Sequence, residues 1–81
     1  MKTPEKITVR LVGSDAPQIL VEFDGVSVGG EAFRNGFSDA GEIMFGIEAT
    51  LKPLGYSLDR SNLYQDMDLT VGQFHRTKEA L

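Results

Sequence analysis

The sequence carries one histidine, His75, in the run Phe74-His75-Arg76. A histidine relay or a two-histidine metal site therefore cannot form within one chain. Ser14, Ser27, Ser38, Ser57 and Ser61 supply hydroxyls, yet none stands in the strained strand-to-helix pattern that exposes a nucleophile. His75 reads as a surface or capping residue. Cysteine is absent, which removes disulfides, thiolate metal sites and thiol chemistry.

Asp66-Met67-Asp68-Leu69-Thr70-Val71-Gly72 begins like a calcium loop. Such a loop needs glycine at its sixth position and glutamate at its twelfth, and here those positions hold Val71 and Thr77. The acids fit a loop ahead of a helix, where the N-terminal dipole favours negative charge. Gly29-Gly30 could turn toward a phosphate, but Glu31 places negative charge where the anion would sit. The two glycines read as a sharp turn between elements. An 81-residue body also leaves little room for a substrate cleft, so no catalytic residue, metal or cofactor is expected.

Charge is the stronger functional signal. Twelve acids against eight bases give a net charge of −4. From Glu22 to Asp68 there are nine acids and three bases (Arg34, Lys52 and Arg60), a balance of −6, while each flank sums to +1. A segment of that sign repels nucleic-acid phosphates and favours basic partners. It also serves as a solvated surface that keeps a small protein in solution. Apolar residues at 41% and charged residues at 25% are an ordinary globular composition. No apolar run approaches the roughly 18 residues of a membrane span. Met1-Lys2-Thr3-Pro4-Glu5-Lys6 leads into no signal-peptide stretch. The reading is a soluble, cytoplasmic protein with no membrane contact.

The elements that must position these groups follow from periodicity. Ile7, Val9 and Leu11 fall on one face of an alternating run, and within Gln18 to Phe23 Ile19, Val21 and Phe23 fall on one side with Leu20 opposite; both read as strands, the first half-buried. Gly13-Ser14-Asp15-Ala16-Pro17 is a turn cluster between them. Asp24-Gly25 before Val26-Ser27-Val28 is a strong hairpin signal, because a type I′ turn needs positive φ at both central residues. Phe33, Phe37, Ala40, Met44, Ile47 and Leu51 then recur at helical spacing, with Ile43 and Leu54 at the edge of the stripe. The spacing predicts a helix from about Glu31, bent near Gly41, ending at Pro53 and Gly55. A rival start puts Asp39 at the N-cap with Glu42 three residues on. The roles of Gly36, Gly41 and Gly46 are open between hinge, close contact and break.

Tyr56-Ser57-Leu58-Asp59 predicts a short fourth strand and Arg60 to Asp68 a loop. Thr70-Val71-Gly72-Gln73 has capping-box spacing and opens an expected short C-terminal helix through Leu81. The whole chain, 1–81, reads as one α+β domain: a three-stranded antiparallel meander, with a short fourth strand, packed on one main helix, plus the C-terminal helix. So small a domain buries only about 60% of its unfolded surface, so a partner or second copy would help it.

Leu20-Val21-Glu22-Phe23-Asp24-Gly25-Val26, followed by Phe33 and a helix, is similar to the strand-to-helix junction of STAS-like regulatory domains. The resemblance covers about a fifth of the chain. It implies a regulatory domain switched by phosphorylation of a serine near the helix start. Gly30-Glu31-Ala32 stands in that stretch, so the switch does not carry over.

The expected function is a non-enzymatic, acidic protein-binding module, of the type of a phage or mobile-element inhibitor or adaptor of nucleic-acid-handling machinery. Glu42, Glu48, Asp59, Asp66 and Asp68 would supply the charge, and Phe45 and Tyr64 the aromatic anchors. On a continuous helix Phe45 points away from the apolar stripe, either to a partner or under a second layer. The other expected form is a homodimer or larger assembly built through sheet edges or helix faces.

Overall fold

The computed structural model describes residues 3–77 and combines one antiparallel sheet with one main helix. β1 (Lys6–Val12), β2 (Gln18–Phe23) and β3 (Val26–Gly29) form the expected meander. Asp24 and Gly25 close its second hairpin with φ of 51° and 87°, the two positive values of a type I′ turn. The chain therefore doubles back into β3 at the point where the STAS-like junction would lead toward a helix.

The helix begins later than the full stripe implies. Glu31–Phe33 is a single 3-10 turn. Asn35 and Gly36 then adopt left-handed φ of 55° and 81°, which no α-helix accommodates. α1 spans Ala40–Leu51. Asp39 is its N-cap, in extended conformation, and its carboxylate accepts the Glu42 amide at 3.2 Å. That bond satisfies one of the orphan donors of the first turn. Phe33 is half-buried beside the core, and Phe37 lies outside the helix with its ring against Gly46. Past Leu51 a 3-10 turn carries Pro53, and Gly55 at φ 96° redirects the chain.

β4 (Tyr56–Leu58) is the expected fourth strand. The segment expected as a loop contains a 3-10 turn at Arg60–Asn62 and the two-residue β5 (Tyr64–Gln65). The expected C-terminal helix is replaced over its described residues by β6 (Leu69–Arg76), an eight-residue strand; residues 78–81 lie outside the described residues. The strand order is β3-β2-β1-β6-β4, with β5 also paired to β6, six strands among the described residues.

Register decides which side chains meet α1. Ile7 lies opposite both Phe23 and Phe74, Val9 opposite Val21 and Gly72, and Leu11 opposite Ile19 and Thr70. These residues face the helix, whose Ile43, Met44, Ile47 and Leu51 are buried against them together with Tyr56 and Leu58. A methyl group on Gly72 would lie 2.8 Å from the Met44 sulfur, so the thioether fills the place that a β6 side chain would otherwise take. The opposite face of the sheet carries Lys6, Thr8, Arg10 and Val12 of β1, with Leu20 and Glu22 of β2 and Val71, Gln73 and His75 of β6. No described helix is long and apolar enough to cross a membrane.

Candidate functional site

Three separate segments converge at the end of the sheet where α1 begins. The Gly13 amide, in the β1–β2 turn, donates to the Asp68 carbonyl at 2.9 Å. On its other side the Ala16 amide donates to the Ser38 carbonyl at 2.8 Å, and Asp15 and Asp39 form an isolated bridge. The β1–β2 turn is thus held between the β5–β6 turn and the N-cap of α1. Asp15, Asp39, Glu42, Asp66 and Asp68 come to one pole in this way, and no lysine or arginine stands in residues 12–18, 35–42 or 65–69.

The carboxylates of this pole differ in their commitments. Asp39 caps the helix. Asp66 accepts the Met67 amide at 2.7 Å and the Tyr64 hydroxyl at 3.4 Å. Asp15, Glu42 and Asp68 enter no ion pair among the described residues. Met67, between Asp66 and Asp68 in sequence, is 81% exposed, an apolar group flanked by two acids. Among the described residues no three acid, histidine or cysteine side chains gather closely enough to hold a metal ion; the acids are spread over the pole.

The opposite pole has matched charges. The Asp24 carboxylate accepts the backbone amides of Glu5 and Lys6 at 2.9–3.1 Å. Arg76 pairs with Glu5 at 3.6 Å, and the buried Tyr56 hydroxyl donates to the Pro4 carbonyl. Burial pushes the Tyr56 phenol above its usual pKa.

The residues singled out by sequence fall into distinct groups. Glu42, Asp66 and Asp68 belong to the acidic pole. Glu48 is engaged by Arg60 at 2.8 Å. Asp59 accepts the Asn62 side-chain amide at 2.8 Å and the Ser61 hydroxyl at 2.7 Å. Those two bonds, first Asn62 and then Ser61, hold its carboxyl below the usual carboxylate range against a smaller opposing effect of burial. His75 Nε2 lies 3.6 Å from Asp59, but the nearby Ser61 hydroxyl bonds to Asp59 rather than to the imidazole, so the three form no relay.

Phe45 is 58% exposed on the outer surface of α1, and no second layer of described residues covers it. Tyr64, 51% exposed, stands opposite Val71 and so on the face of the sheet turned away from α1. One compact footprint cannot use both rings as central anchors. Sequence reasoning passed over Asp15 and Asp39, which join the pole only because the turn at 13–17 and the helix cap meet in space. It also passed over Met67, whose only sequence signal was its place between two acids. No family model, curated protein or solved structure matches the chain significantly.

Proposed function

We propose that this protein is a non-enzymatic binding module whose acidic pole docks on a basic surface of another protein. The observation that carries the reading is the convergence at one pole of the segments that bear Asp15, Asp39, Glu42, Asp66 and Asp68, with exposed Met67 among them; Asp15, Glu42 and Asp68 enter no ion pair among the described residues. Unpaired carboxylates of one sign raise the local potential and speed encounter with a positive partner. Met67 supplies the adaptable apolar contact that such a charged rim lacks, since thioethers repack readily on varied surfaces.

A partner with a basic surface is typical of nucleic-acid-handling machinery, and the module would act there as an inhibitor or adaptor by occupying the surface that meets phosphate. Direct binding to nucleic acid is disfavoured by the same charges. The chemistry of catalysis has little support, since Asp59 is committed to a turn and the Ser61 hydroxyl donates to Asp59.

The test is capture of basic proteins from an extract at low salt by the wild type and by the D15N/E42Q/D68N variant, followed by association kinetics with whatever is retained. Among the described residues these three side chains make no ion pair that the substitutions would break. The reading expects salt-sensitive capture by the wild type and an association rate at least tenfold lower in the variant. Equal binding by both proteins would remove the acidic pole from the function.

A further inference from the structure

We infer that the open edge of β3 pairs with the same edge of a second copy, joining two sheets across a two-fold axis. Among the described residues the sheet has three strands with an open outer side, β3, β4 and β5, and they are treated differently; β5 offers only Tyr64 and Gln65. β4 is three residues long, and the cleft beside it is lined by the charged side chains of Glu48, Lys52 and Arg60. Charges beside an edge are the usual protection against unwanted pairing. β3 reads Val-Ser-Val-Gly, has no charge and no proline, and is exposed at every residue.

The acids that flank β3 are held in local contacts. Asp24 is bonded to the amides of Glu5 and Lys6, and Glu31 is paired with Arg34 at 2.8 Å. In a chain of net charge −4, this neutral edge is where a second copy approaches with least repulsion. Val26 and Val28 stand opposite Phe23 and Val21, on the helix-facing side of the sheet, yet they are 65% and 37% exposed. The apolar face therefore runs one strand beyond the cover that α1 provides.

Hydrogen-bond parity then selects the register. The type I′ turn at Asp24-Gly25 makes Phe23 and Val26 a hydrogen-bonded pair, so Val21 and Val28 are another. Ser27 and Gly29 must direct their amides and carbonyls away from β2. An antiparallel copy with Val28 opposite Val28 sets Ser27 against Gly29 of the second copy, twice, and satisfies all four outward donors and acceptors of the strand pair in hydrogen-bonded positions. The pairing is isologous, as a two-fold interface requires. Both helices lie on one side of the joined sheet, and the two Val28 side chains meet at the axis.

The experiment uses the cysteine-free chain with single cysteines at two positions. In this register the Cα atoms of residue 28 lie about 4.5 Å apart across a non-hydrogen-bonded pair, within disulfide reach. Residue 26 and its symmetry mate are displaced by four residues, roughly 14 Å along the strands. V28C is expected to oxidise to a covalent dimer, at least tenfold faster than V26C. Light scattering is expected to show wild-type mass rising from one copy toward two with concentration and persisting in high salt. S27P removes one outward amide without touching the β2 ladder, and V28K sets like charges at the axis; each is expected to remain a single copy with an unchanged far-ultraviolet spectrum. A wild type of single-copy mass at every concentration, equal cross-linking at 26 and 28, or association unchanged in folded V28K would overturn the proposal.

Discussion

Gly30 packs its bare α-carbon against the backbone of Ile19: a methyl group there would lie 2.6 Å from the Ile19 carbonyl oxygen. Ile19 is held in β2 opposite Leu11, so this oxygen cannot retreat without disturbing the central ladder. G30A is expected to destabilise the fold by about 1–3 kcal/mol, the range of core overpacking. Gly29 next to it has open space around the same position, and G29A should stay within about 0.5 kcal/mol of wild type. Denaturant titration of the two variants in dilute protein separates close approach from simple loss of a glycine.

Phe45 and Ile47 are two residues apart on α1 and face opposite environments, one 58% exposed and the other fully buried. I47A is expected to cost about 2–5 kcal/mol. F45A should change stability by no more than about 0.5 kcal/mol. A large loss in F45A, measured by thermal or denaturant unfolding, would mean that a covering layer exists over the helix.

Tyr56 donates its hydroxyl to the Pro4 carbonyl from a buried position. Y56F is expected to lose about 1 kcal/mol, the net value of one hydrogen bond. The pH dependence follows from the raised phenol pKa. Below the ordinary value of 10.0 both folded and unfolded tyrosine hold the proton and the contribution is intact. Above it the unfolded chain ionises first, so stability falls as pH rises toward the folded value. The alkaline fall in unfolding midpoint should be shallower in Y56F than in the wild type.

Asp59 works in the opposite direction. Its carboxyl is held below the usual 3.8 by the Asn62 and Ser61 hydrogen bonds. The stabilisation is present above that value and is lost as pH falls through the lowered folded one. D59N should therefore be less stable than the wild type near neutrality, with the gap closing in strong acid. His75 is the weakest of the groups acting on this carboxylate, so H75A should leave the titration of Asp59, followed by carboxyl carbon shifts in NMR, almost unmoved.

The acids of the helix-start pole are of one sign, with no lysine or arginine in their segments, and like charge gathered on one side of a fold opposes compaction. D15N/E42Q/D68N is expected to fold at least as stably as the wild type at low salt. Any advantage should fade as ionic strength screens the charges. Equilibrium unfolding of the two proteins at low and high salt measures this directly, independently of any partner.

How much of this was legible in the sequence depended on whether a face was lined by side chains or by their absence. The meander was plain, because Ile7, Val9 and Leu11 and the Asp24-Gly25 turn state period and chirality together. The helix start was legible only in its rival reading, through Asp39 and Glu42; the stripe misled because Phe33 and Phe37 reach the core and Gly46 from outside the helix. β6 was hidden. Its buried face is Thr70, Gly72 and Phe74, with one large apolar residue among the three, since Met44 fills the space over Gly72 from the helix. The Thr70-to-Gln73 spacing then looks like a capping box and the run like a helix start. The acidic pole was half legible: Glu42, Asp66 and Asp68 stood out as charges, whereas the meeting of Asp15 with Asp39 depends on tertiary pairing that no local pattern encodes.

The place of β6 between β1 and β4 has a consequence for how the protein is made. β1 precedes β2 directly in the chain and can pair with it as soon as both are made, but its other edge stays bare until residues 69–76 have left the ribosome. Until then Ile7, Val9 and Leu11 lack the strand that carries Phe74, and β4 has no strand to pair with. The nascent chain therefore waits with an open central edge. Closure joins contacts nearly the full length of the sequence apart, the kind of topology in which loop-closure entropy slows folding. During that interval the chain is most exposed to mispairing, and its neutral, charge-free β3 segment is the first edge on offer.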